Sequence, residues 1–292
     1  MNPVSSTQRC ENRANSANLQ HSAFYRFTPL PQPEAAADRL RSLAQGLFGA
    51  VLVAHEGVNG ALTGTAAALD AFEYQLQQPG VLGGALAGMD FKRSACTTAP
   101  FARLKVRVRP EIVALGLSES ETALPPPDET DDSHLSPVVW RELLSRDDLV
   151  LLDNRNHFEY RLGHFEGAVN PGVHRFSNFT QHVLDQAEKW RVAGRPVAMY
   201  CTGGVRCDKT APWMRSLGLQ VYQLQGGVLN YFQQLPDAER EWQGECFVFD
   251  KRIALNTQLQ EAPTTAEDVF DPQQPEELWR LERARRLDRF GE

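Results

Sequence analysis

A cysteine between an apolar strand and the start of a helix constrains the fold more than any other feature of the chain. The strand Pro196-Val197-Ala198-Met199-Tyr200 runs directly into Cys201, and Thr202-Gly203-Gly204-Val205 leads from there into a helical pattern. Catalytic loops of parallel α/β sheets follow the carboxyl ends of strands in this way. The two glycines allow a tight turn whose N–H groups, with the helix N-terminus, stabilise an anion. The anion indicated here is the thiolate of Cys201, which is a nucleophile at neutral pH.

The spacing of residues around this cysteine narrows the chemistry. Cys201 and Arg206 form Cys-x-x-x-x-Arg, one residue shorter than the loop that holds a phosphate ester in cysteine phosphatases, and Cys207 stands where the arginine of that longer loop would fall. The alternative for Cys201 is an inert buried thiol, which the glycines and Arg206 disfavour. Cys207 is either a resolving thiol or a packed residue of the first helical turn. We predict that Cys201 and Arg206 are catalytic, and that the loop is supported by Thr202, Gly203, Gly204, Val205 and Cys207.

Composition excludes several classes of protein. The chain has 292 residues and 42% hydrophobic content, enough for two domains with real cores. It contains no apolar run near the roughly 18 to 20 residues of a membrane span, and residues 1–22 hold no apolar block of the secretory type. Five irregularly spaced cysteines do not make a disulfide framework, and a net charge of −7 leaves room only for a local basic patch. We expect a cytoplasmic protein that does not bind membranes; no feature fixes its oligomeric state.

Changes in composition divide the chain into five segments. Residues 1–22, rich in Ser, Asn and Gln, are predicted to be a disordered lead-in, and residues 118–136 form an acidic linker that contains several prolines. Folded units are predicted at residues 23–117 and 137–240. Residues 241–292 form a C-terminal extension.

The first folded unit is predicted to be a ferredoxin-like, acylphosphatase-like split βαβ domain. Its order of elements is strand, helix, strand, strand, helix, strand. The predicted elements are a strand at residues 24–27, a helix opened by Pro33, strands at residues 49–54 and 61–63, a helix capped by Thr65, and a closing strand from Lys105 to Val113.

Two features of the first unit predict contact with RNA. Four cations alternate with apolar residues, so that they share one face of a strand: Arg103, Lys105, Arg107 and Arg109. A row of cations on a sheet suits a phosphate backbone, although an edge strand protected by charge would look the same. His55, at the end of a strand, is a second candidate for binding the substrate, and the alternative is a polar turn that caps backbone groups.

The second folded unit is predicted to be an α/β domain with a mostly parallel sheet, because strands and helices alternate along it. Its elements are a helix from Ser136-Pro137, a strand at residues 149–153, a helix near residues 177–190, the Cys201 strand and loop, a strand at residues 219–224 and a helix after Gly226-Gly227. Asp153 and Arg155 follow the first strand and either orient loops around the site or form a structural ion pair. The histidines have no credible metal-ligand spacing with cysteines, so no metal site or cofactor motif is identified.

Several segments together resemble a known family. The Cys201 loop, Asp153-x-Arg155, Glu159-Tyr160 and Gly163-His164-Phe165-x-Gly167-Ala168-x-Asn170 are similar to rhodanese domains, which handle sulfur. The wider combination, over roughly residues 23 to 256, resembles the bacterial rhodanese-domain tRNA uridine hydroxylases. The additional segments that carry this resemblance are Ala54-His55-Glu56-Gly57-Val58-Asn59-Gly60, Gly226-Gly227-Val228-Leu229-Asn230-Tyr231 and the run from Trp242 to Arg252.

The resemblance implies oxygen-dependent 5-hydroxylation of the wobble uridine of tRNA, with molecular oxygen as co-substrate and Cys201 as the essential residue, acting as thiolate or persulfide. Asp208 and Thr210 depart mildly from the family pattern, and no cysteine follows Cys246, whereas many members carry a cysteine-rich tail. Trp279 and five arginines recur at helical spacing in the tail: Arg280, Arg283, Arg285, Arg286 and Arg289. They predict either a helix that contacts RNA or a solvated helix docked by Leu278, Leu281 and Leu287, and docking with some basic surface is the favoured interpretation.

Two other functions remain open at this point. The loop alone would permit a thiosulfate-type sulfurtransferase that carries a persulfide. A non-catalytic RNA-binding module with a vestigial loop is the second alternative. The intact Cys201, Gly203, Gly204 and Arg206 argue against the second, and the basic strand, which thiosulfate chemistry does not need, argues mildly against the first.

Overall fold

The computed structural model describes residues 19–117 and 132–290, with the backbone alone at residues 287–290. These residues form two compact units. The first contains residues 19–112 together with Asp250–Arg252, and the second contains residues 113–249 and 253–290. The predicted linker lies outside the described residues from 118 to 131, as does the predicted lead-in from 1 to 18.

The first unit is a five-stranded sheet with two helices. Its elements are β1 (Leu19–Phe27), α1 (Pro33–Leu43), β2 (Phe48–Ala54), β3 (Gly57–Thr65), α2 (Ala66–Leu76), β4 (Lys92–Ala95) and β5 (Leu104–Val108). The strand order is β4-β1-β3-β2-β5, in which β5 runs parallel to β2 and the other pairs are antiparallel. Both helices pack on one face of the sheet through a single apolar cluster that includes Phe24, Leu40, Val51, Leu69 and Val106. The predicted split βαβ arrangement is confirmed.

Three details of the first unit differ from the prediction. β1 begins at Leu19, so residues 19–22 of the predicted lead-in are a strand; it pairs there with both β3 and β4, which satisfies the backbone of its polar residues. The split βαβ is closed by β4, not by the basic strand. The basic strand β5 is an additional edge strand, and it ends at Val108 rather than Val113 because Arg109 and Pro110 lead into a turn.

The second unit is built around a four-stranded parallel sheet in the order β6-β10-β9-β7. Its first elements are β6 (His134–Leu135), α3 (Pro137–Leu143), β7 (Val150–Asp153), α4 (His157–Leu162), β8 (Gly163–Phe165), α5 (Phe179–Val192), β9 (Val197–Tyr200), α6 (Val205–Ser216), β10 (Val221–Leu224) and α7 (Gly227–Gln234). The chain continues with β11 (Trp242–Gly244), β12 (Cys246–Phe247), β13 (Ala254–Leu255), α8 (Ala266–Val269) and α9 (Pro275–Phe290).

The central strand β9 is buried along its whole length because helices cover both faces of the sheet. Val197 and Met199 pack into one apolar cluster with residues of α5 and α6, while Ala198 and Tyr200 pack into another with residues of α3 and α7. The carboxyl end of β9, where Cys201 lies, is thus held between two cores. The predicted parallel α/β fold is confirmed.

The C-terminal extension belongs to the second unit, apart from Asp250–Arg252. β11 pairs with β8, and β12 pairs with β13. The helix α9 packs through Leu281 against a small apolar cluster that also contains Phe158, Phe247 and Phe270. The predicted tail helix is therefore present, but Leu278, which was predicted to dock it, is partly exposed. Within residues 19–117 and 132–290, no helix combines the length and apolarity that a membrane span requires.

Candidate active site

The Cys201 loop turns from β9 into α6 around the sulfur atom. Gly204 caps α6 with a φ of 99°, a left-handed conformation that favours glycine, and its N–H donates to the Cys201 Sγ at 3.1 Å. Gly203 needs no such conformation, and a Cβ built there meets open space. The structure therefore assigns the strict requirement for glycine to Gly204. It places the sulfur at the N-terminal end of α6, where the helix dipole favours an anion.

The pKa of the Cys201 thiol is lowered from its ordinary value to about 6. Burial opposes ionisation, but a hydrogen bond from the Cys207 thiol, the charge of Arg206 and the backbone N–H groups of Cys207 and Arg206 outweigh it. Cys201 is therefore mainly a thiolate at neutral pH. This is the chemistry that the sequence predicts for it.

Cys207 is buried like Cys201, but its pKa is shifted in the opposite direction. It is a buried residue of the first turn of α6, and burial together with the hydrogen bond to Cys201 raises its pKa well above the ordinary value. The Asn154 amide nitrogen lies 3.7 Å from its sulfur and donates to Thr210 Oγ1 at 3.2 Å. Of the two interpretations of Cys207, the geometry favours the packed helical residue, which supports Cys201 by donating its proton.

Arg206 forms a two-point ion pair with Glu159, which lies on α4 and is fully buried. Its Nη1 lies 2.9 Å from Glu159 Oε2, and its Nη2 donates to Oε1 at 3.1 Å. Burial raises the pKa of Glu159, but the charges of Arg206 and Arg155 and hydrogen bonds outweigh it, so the net shift is downward. Thr202 Oγ1 reaches the same carboxylate at 3.5 Å. Glu159 thus holds the arginine that stabilises the thiolate.

The start of α7 approaches the loop from the other side. The N–H groups of Val228 and Leu229 donate to the carbonyl oxygens of Cys201 and Thr202 at 2.9 and 3.1 Å. This approach requires Gly227, because a Cβ there would lie 2.5 Å from the Cys201 carbonyl oxygen and 2.6 Å from that of Thr202. The Gly226-Gly227 motif is therefore a support for the loop.

Asp153 and Arg155 form a second ion pair, whose side chains are both 0% exposed. Arg155 Nε and Nη2 donate to the two carboxylate oxygens of Asp153 at 2.9 and 2.7 Å, and Nη2 also donates to the Gly163 carbonyl oxygen. The Tyr200 hydroxyl donates to Asp153 at 2.8 Å. The hydrogen bonds of the pair tie together the ends of β7, β8 and β9, which supports the structural interpretation.

The predicted RNA-binding residues of the first unit lie at its sheet edge and in one turn. Lys105 and Arg107 share the face of β5 opposite the core, while Arg103 precedes the strand and Arg109 follows it. A groove of about 410 Å³ at this edge is lined by Arg41, Arg103, Leu104, Lys105, Val106 and Arg107. Arg41 donates to the Val106 carbonyl oxygen at 3.0 Å, so the edge is also protected by charge.

His55 is exposed in the turn between β2 and β3, and its carbonyl oxygen accepts the Leu30 N–H. Its neighbour Glu56 accepts the Ile112 N–H at 2.7 Å. These are the backbone contacts of the polar-turn alternative, and a role for the His55 ring stays a prediction. Among the described residues, no disulfide joins Cys96, Cys201, Cys207 and Cys246 to one another. No group of three or more His, Cys, Asp or Glu side chains within these residues has the arrangement of a metal site.

Comparisons with known proteins agree with this architecture. Residues 19–112 match the family model of the UPF0176 acylphosphatase-like domain, and residues 136–234 match that of the rhodanese-like domain. A tRNA uridine(34) hydroxylase of Nitrobacter winogradskyi is 42% identical over 247 residues, which cover 84% of this chain and 94% of that protein.

Proteins of the same name from Bradyrhizobium diazoefficiens and Synechococcus elongatus are 39% and 42% identical, over 82% and 81% of this chain and 92% and 85% of their own lengths. The chain belongs to the tRNA uridine(34) hydroxylase family. The sequence resemblance is therefore confirmed.

Sequence reasoning missed three residues beside the loop. The sequence presents Glu159 only as part of a motif. The signal that points to it is the need of a buried arginine for a carboxylate partner. The guanidinium carbon of Arg206 also lies 5.4 Å from the ring centres of both Phe176 and Phe249. No periodicity in the sequence indicates that these rings meet Arg206, because they come from distant segments.

Proposed function

We propose that this chain hydroxylates C5 of the wobble uridine, uridine 34, in tRNA, with molecular oxygen as co-substrate and in the cytoplasm. The observation that carries the proposal is the Cys201 thiolate in a complete loop, within a chain whose relatives are named tRNA uridine(34) hydroxylases. The lowered pKa of Cys201 and the N–H group of Gly204 that faces its sulfur support chemistry by a thiolate.

Cys201 has an intelligible role in such a reaction. Addition of its thiolate to C6 of uracil moves an electron pair toward O4 and makes C5 nucleophilic, so that C5 can take up an oxygen atom. With molecular oxygen as the oxidant, one oxygen atom bonds to C5 and the other leaves as water. This step takes two electrons from a separate two-electron reductant and two protons. Loss of the C5 proton and of the thiolate from C6 restores the aromatic base. Arg206 holds the thiolate before the attack and after its release.

The first unit is proposed to contribute to RNA binding. Arg103, Lys105, Arg107 and Arg109 supply cations along one sheet edge, which matches the negative charge of a phosphate backbone. His55 is the remaining candidate of this unit. Neutralising these four cations would lower both the affinity for tRNA and the salt dependence of that affinity.

Nucleoside mass spectrometry tests the proposed function. We expect tRNA from cells that lack this protein to lose 5-hydroxyuridine and its derivatives, and wild type but not Cys201→Ala to restore them. The strain must also lack any second pathway to the same base. Unchanged tRNA in that background would contradict the proposal. Cyanide-dependent formation of thiocyanate from thiosulfate by the purified protein would then favour the sulfurtransferase, and inactivity in both assays the non-catalytic RNA-binding module.

A trapping experiment tests the step at C6. A tRNA that carries 5-fluorouridine at position 34 is expected to form a covalent adduct with wild type and none with Cys201→Ala. Absence of the adduct with an otherwise active enzyme would contradict attack by the thiolate on C6 and favour a persulfide at Cys201.

A further inference from the structure

Beside the Cys201 loop, the C-terminal extension presents two exposed aromatic rings and one arginine that the thiolate chemistry does not use. Phe249 is 57% exposed, although one of its neighbours is the guanidinium of Arg206 and another is the buried ring of Phe247, 5.0 Å away. Trp279, on α9, is 40% exposed. Large aromatic side chains left in water next to a reactive group indicate a binding surface.

Arg280 is the most unusual charge of this region. Its guanidinium carbon lies 4.8 Å from the ring centre of Phe158 and 4.6 Å from that of Trp279, so it is held between two aromatic rings. Its one hydrogen bond is from Nη2 to the His174 carbonyl oxygen at 3.4 Å, and its buried Nε has no partner among the described residues. The nearby carboxylate of Glu277 pairs with Arg161 at 3.0 Å. Arg280 is thus a positioned cation that forms no ion pair within residues 19–117 and 132–286.

The ion pair of the candidate active site, Arg206 with Glu159, lies in the same region as Arg280. The guanidinium carbon of Arg280 lies 4.8 Å from the ring centre of Phe158, the residue before Glu159 on α4. Its Nη2 donates to the carbonyl oxygen of His174, two residues before Phe176, whose ring centre lies 5.4 Å from the Arg206 guanidinium carbon. Burial lowers the pKa of Arg280, and the charges of Glu159 and Arg206 act on it in opposite directions. Glu159 is already occupied by Arg206. An anion bound by Arg280 would therefore lie close to the pair that Glu159 forms with Arg206.

We propose that Phe249, Trp279 and Arg280 form the nucleotide-binding surface of the active site, on which the unpaired anticodon loop of tRNA lies. Arg280 binds a phosphate, and Phe249 and Trp279 stack on bases. This inference rests on the proposed function and names how its substrate is held. Unpaired RNA is recognised by stacking of bases on aromatic rings and arginine planes, with cations along the backbone.

Other occupants fit the surface less well. An apolar protein segment would cover Phe249 and Trp279 but would bury the charge of Arg280 without a partner, which is costly. A small anion such as thiosulfate needs a cation but no exposed rings. Single-stranded RNA supplies both the phosphate and the π faces.

The tryptophans of the chain allow a test that does not depend on catalysis. Trp140, Trp190, Trp213 and Trp242 are buried, so Trp279 is the tryptophan that a neutral quencher such as acrylamide reaches most readily. An anticodon stem-loop RNA with uridine at position 34 is expected to reduce this quenching. The reduction should disappear in Trp279→Phe, and a fully paired RNA of equal length should cause much less of it.

Affinity measurements test the same surface. We expect Phe249→Ala to weaken binding of the stem-loop by about 5- to 150-fold, the range for loss of one stacked base. Phe249→Leu keeps an apolar side chain and guards against misfolding, and it should lose binding as well. Arg280→Gln should lower the slope of log K against log salt by about one.

Two control variants remove similar groups elsewhere. Tyr74→Ala removes a 68% exposed ring of α2, and Arg146→Gln removes an exposed cation that precedes β7, at the opposite end of the parallel sheet from Cys201. Both should bind the stem-loop as wild type does. If wild type binds the RNA while Trp279 remains fully quenchable and the Phe249 and Arg280 variants bind normally, this surface is not the site, although the proposed function survives. If wild type binds no tRNA or stem-loop at all, the proposed function fails and this inference fails with it.

Discussion

Two arginine–carboxylate pairs lie in the second unit, and they differ in what surrounds them. Asp153–Arg155 is 0% exposed on both sides and is enclosed by Tyr200, Trp242 and the Gly163 carbonyl oxygen. Glu159–Arg206 has the same chemistry, but Arg206 is 11% exposed, and its other neighbours are the Cys201 thiolate and the exposed ring of Phe249.

The two ion pairs have the same chemistry but differ in what they contribute to the protein. A pair closed on all sides satisfies its own charge and fixes three strand ends, so its contribution is stability. A pair with one open side shares the arginine with a second anion, so its contribution is the ionisation of Cys201. Enclosure, rather than residue type, separates the structural pair from the functional one.

The largest expected effect is on stability, from breaking the closed pair. Arg155→Met leaves the Asp153 carboxylate buried without its cation, so we expect the free energy of unfolding to fall by about 3–5 kcal/mol. Urea denaturation followed by circular dichroism measures it. Arg146→Met breaks an exposed pair with Asp148 that water screens, so its effect on the free energy of unfolding should be far smaller. Equal losses in the two variants would contradict the enclosed role of Asp153–Arg155.

The next effect is on the pKa of Cys201, from removing the shared arginine. Arg206→Gln takes away a positive charge that favours the thiolate, so the pKa should rise by about 1 to 3 pH units. The absorbance of the thiolate near 240 nm during a pH titration, compared with Cys201→Ser, measures it. Arg206→Lys keeps the charge without the planar fork and should raise the pKa less. An unchanged pKa of Cys201 in Arg206→Gln would contradict the stabilisation of the thiolate by Arg206.

The smallest effect is expected from the carboxylate of the open pair. Glu159→Gln removes a negative charge that competes with the thiolate for Arg206, so the pKa of Cys201 should fall slightly, by less than the rise in Arg206→Gln. Stability should fall by about 1–3 kcal/mol, because a hydrogen-bonded charge loses its partner. The same titration and denaturation curves give both numbers. A rise in the pKa would mean that Glu159 acts by positioning Arg206 and not through its charge.

The sequence predicts this fold well where local patterns decide it. Thr65 caps α2 by accepting the Ala68 N–H, Ser136 and Pro137 open α3, and the apolar run before Cys201 is a buried central strand. Each of these depends on residues close together in the chain. The Cys201 loop could be predicted for the same reason, since Cys201, Gly204 and Arg206 lie within six residues of the chain.

Contacts between distant segments could not be predicted in the same way. Arg206 meets Glu159 from 47 residues away. The rings of Phe176 and Phe249 come from a loop and from the C-terminal extension, and nothing in their local pattern points to Arg206. β4 pairs with β1 at one edge of the sheet and β5 pairs with β2 at the other. This choice depends on tertiary packing rather than on the alternation of Leu104 to Val108.

Alkylation of Cys201 as a function of pH tests the central claim, that the loop turns a buried thiol into a reactive thiolate. Folded protein is treated briefly with iodoacetamide from pH 4.5 to 9.5, and peptide mass spectrometry separates Cys201 from Cys207 and the other cysteines. We predict that the rate at Cys201 reaches half its maximum near pH 6, that Cys207 stays unmodified, and that the unfolded protein shows an ordinary midpoint near about 8.5 for both. A midpoint near 8.5 at Cys201 in the folded protein, or no reaction there at any pH, would contradict the account.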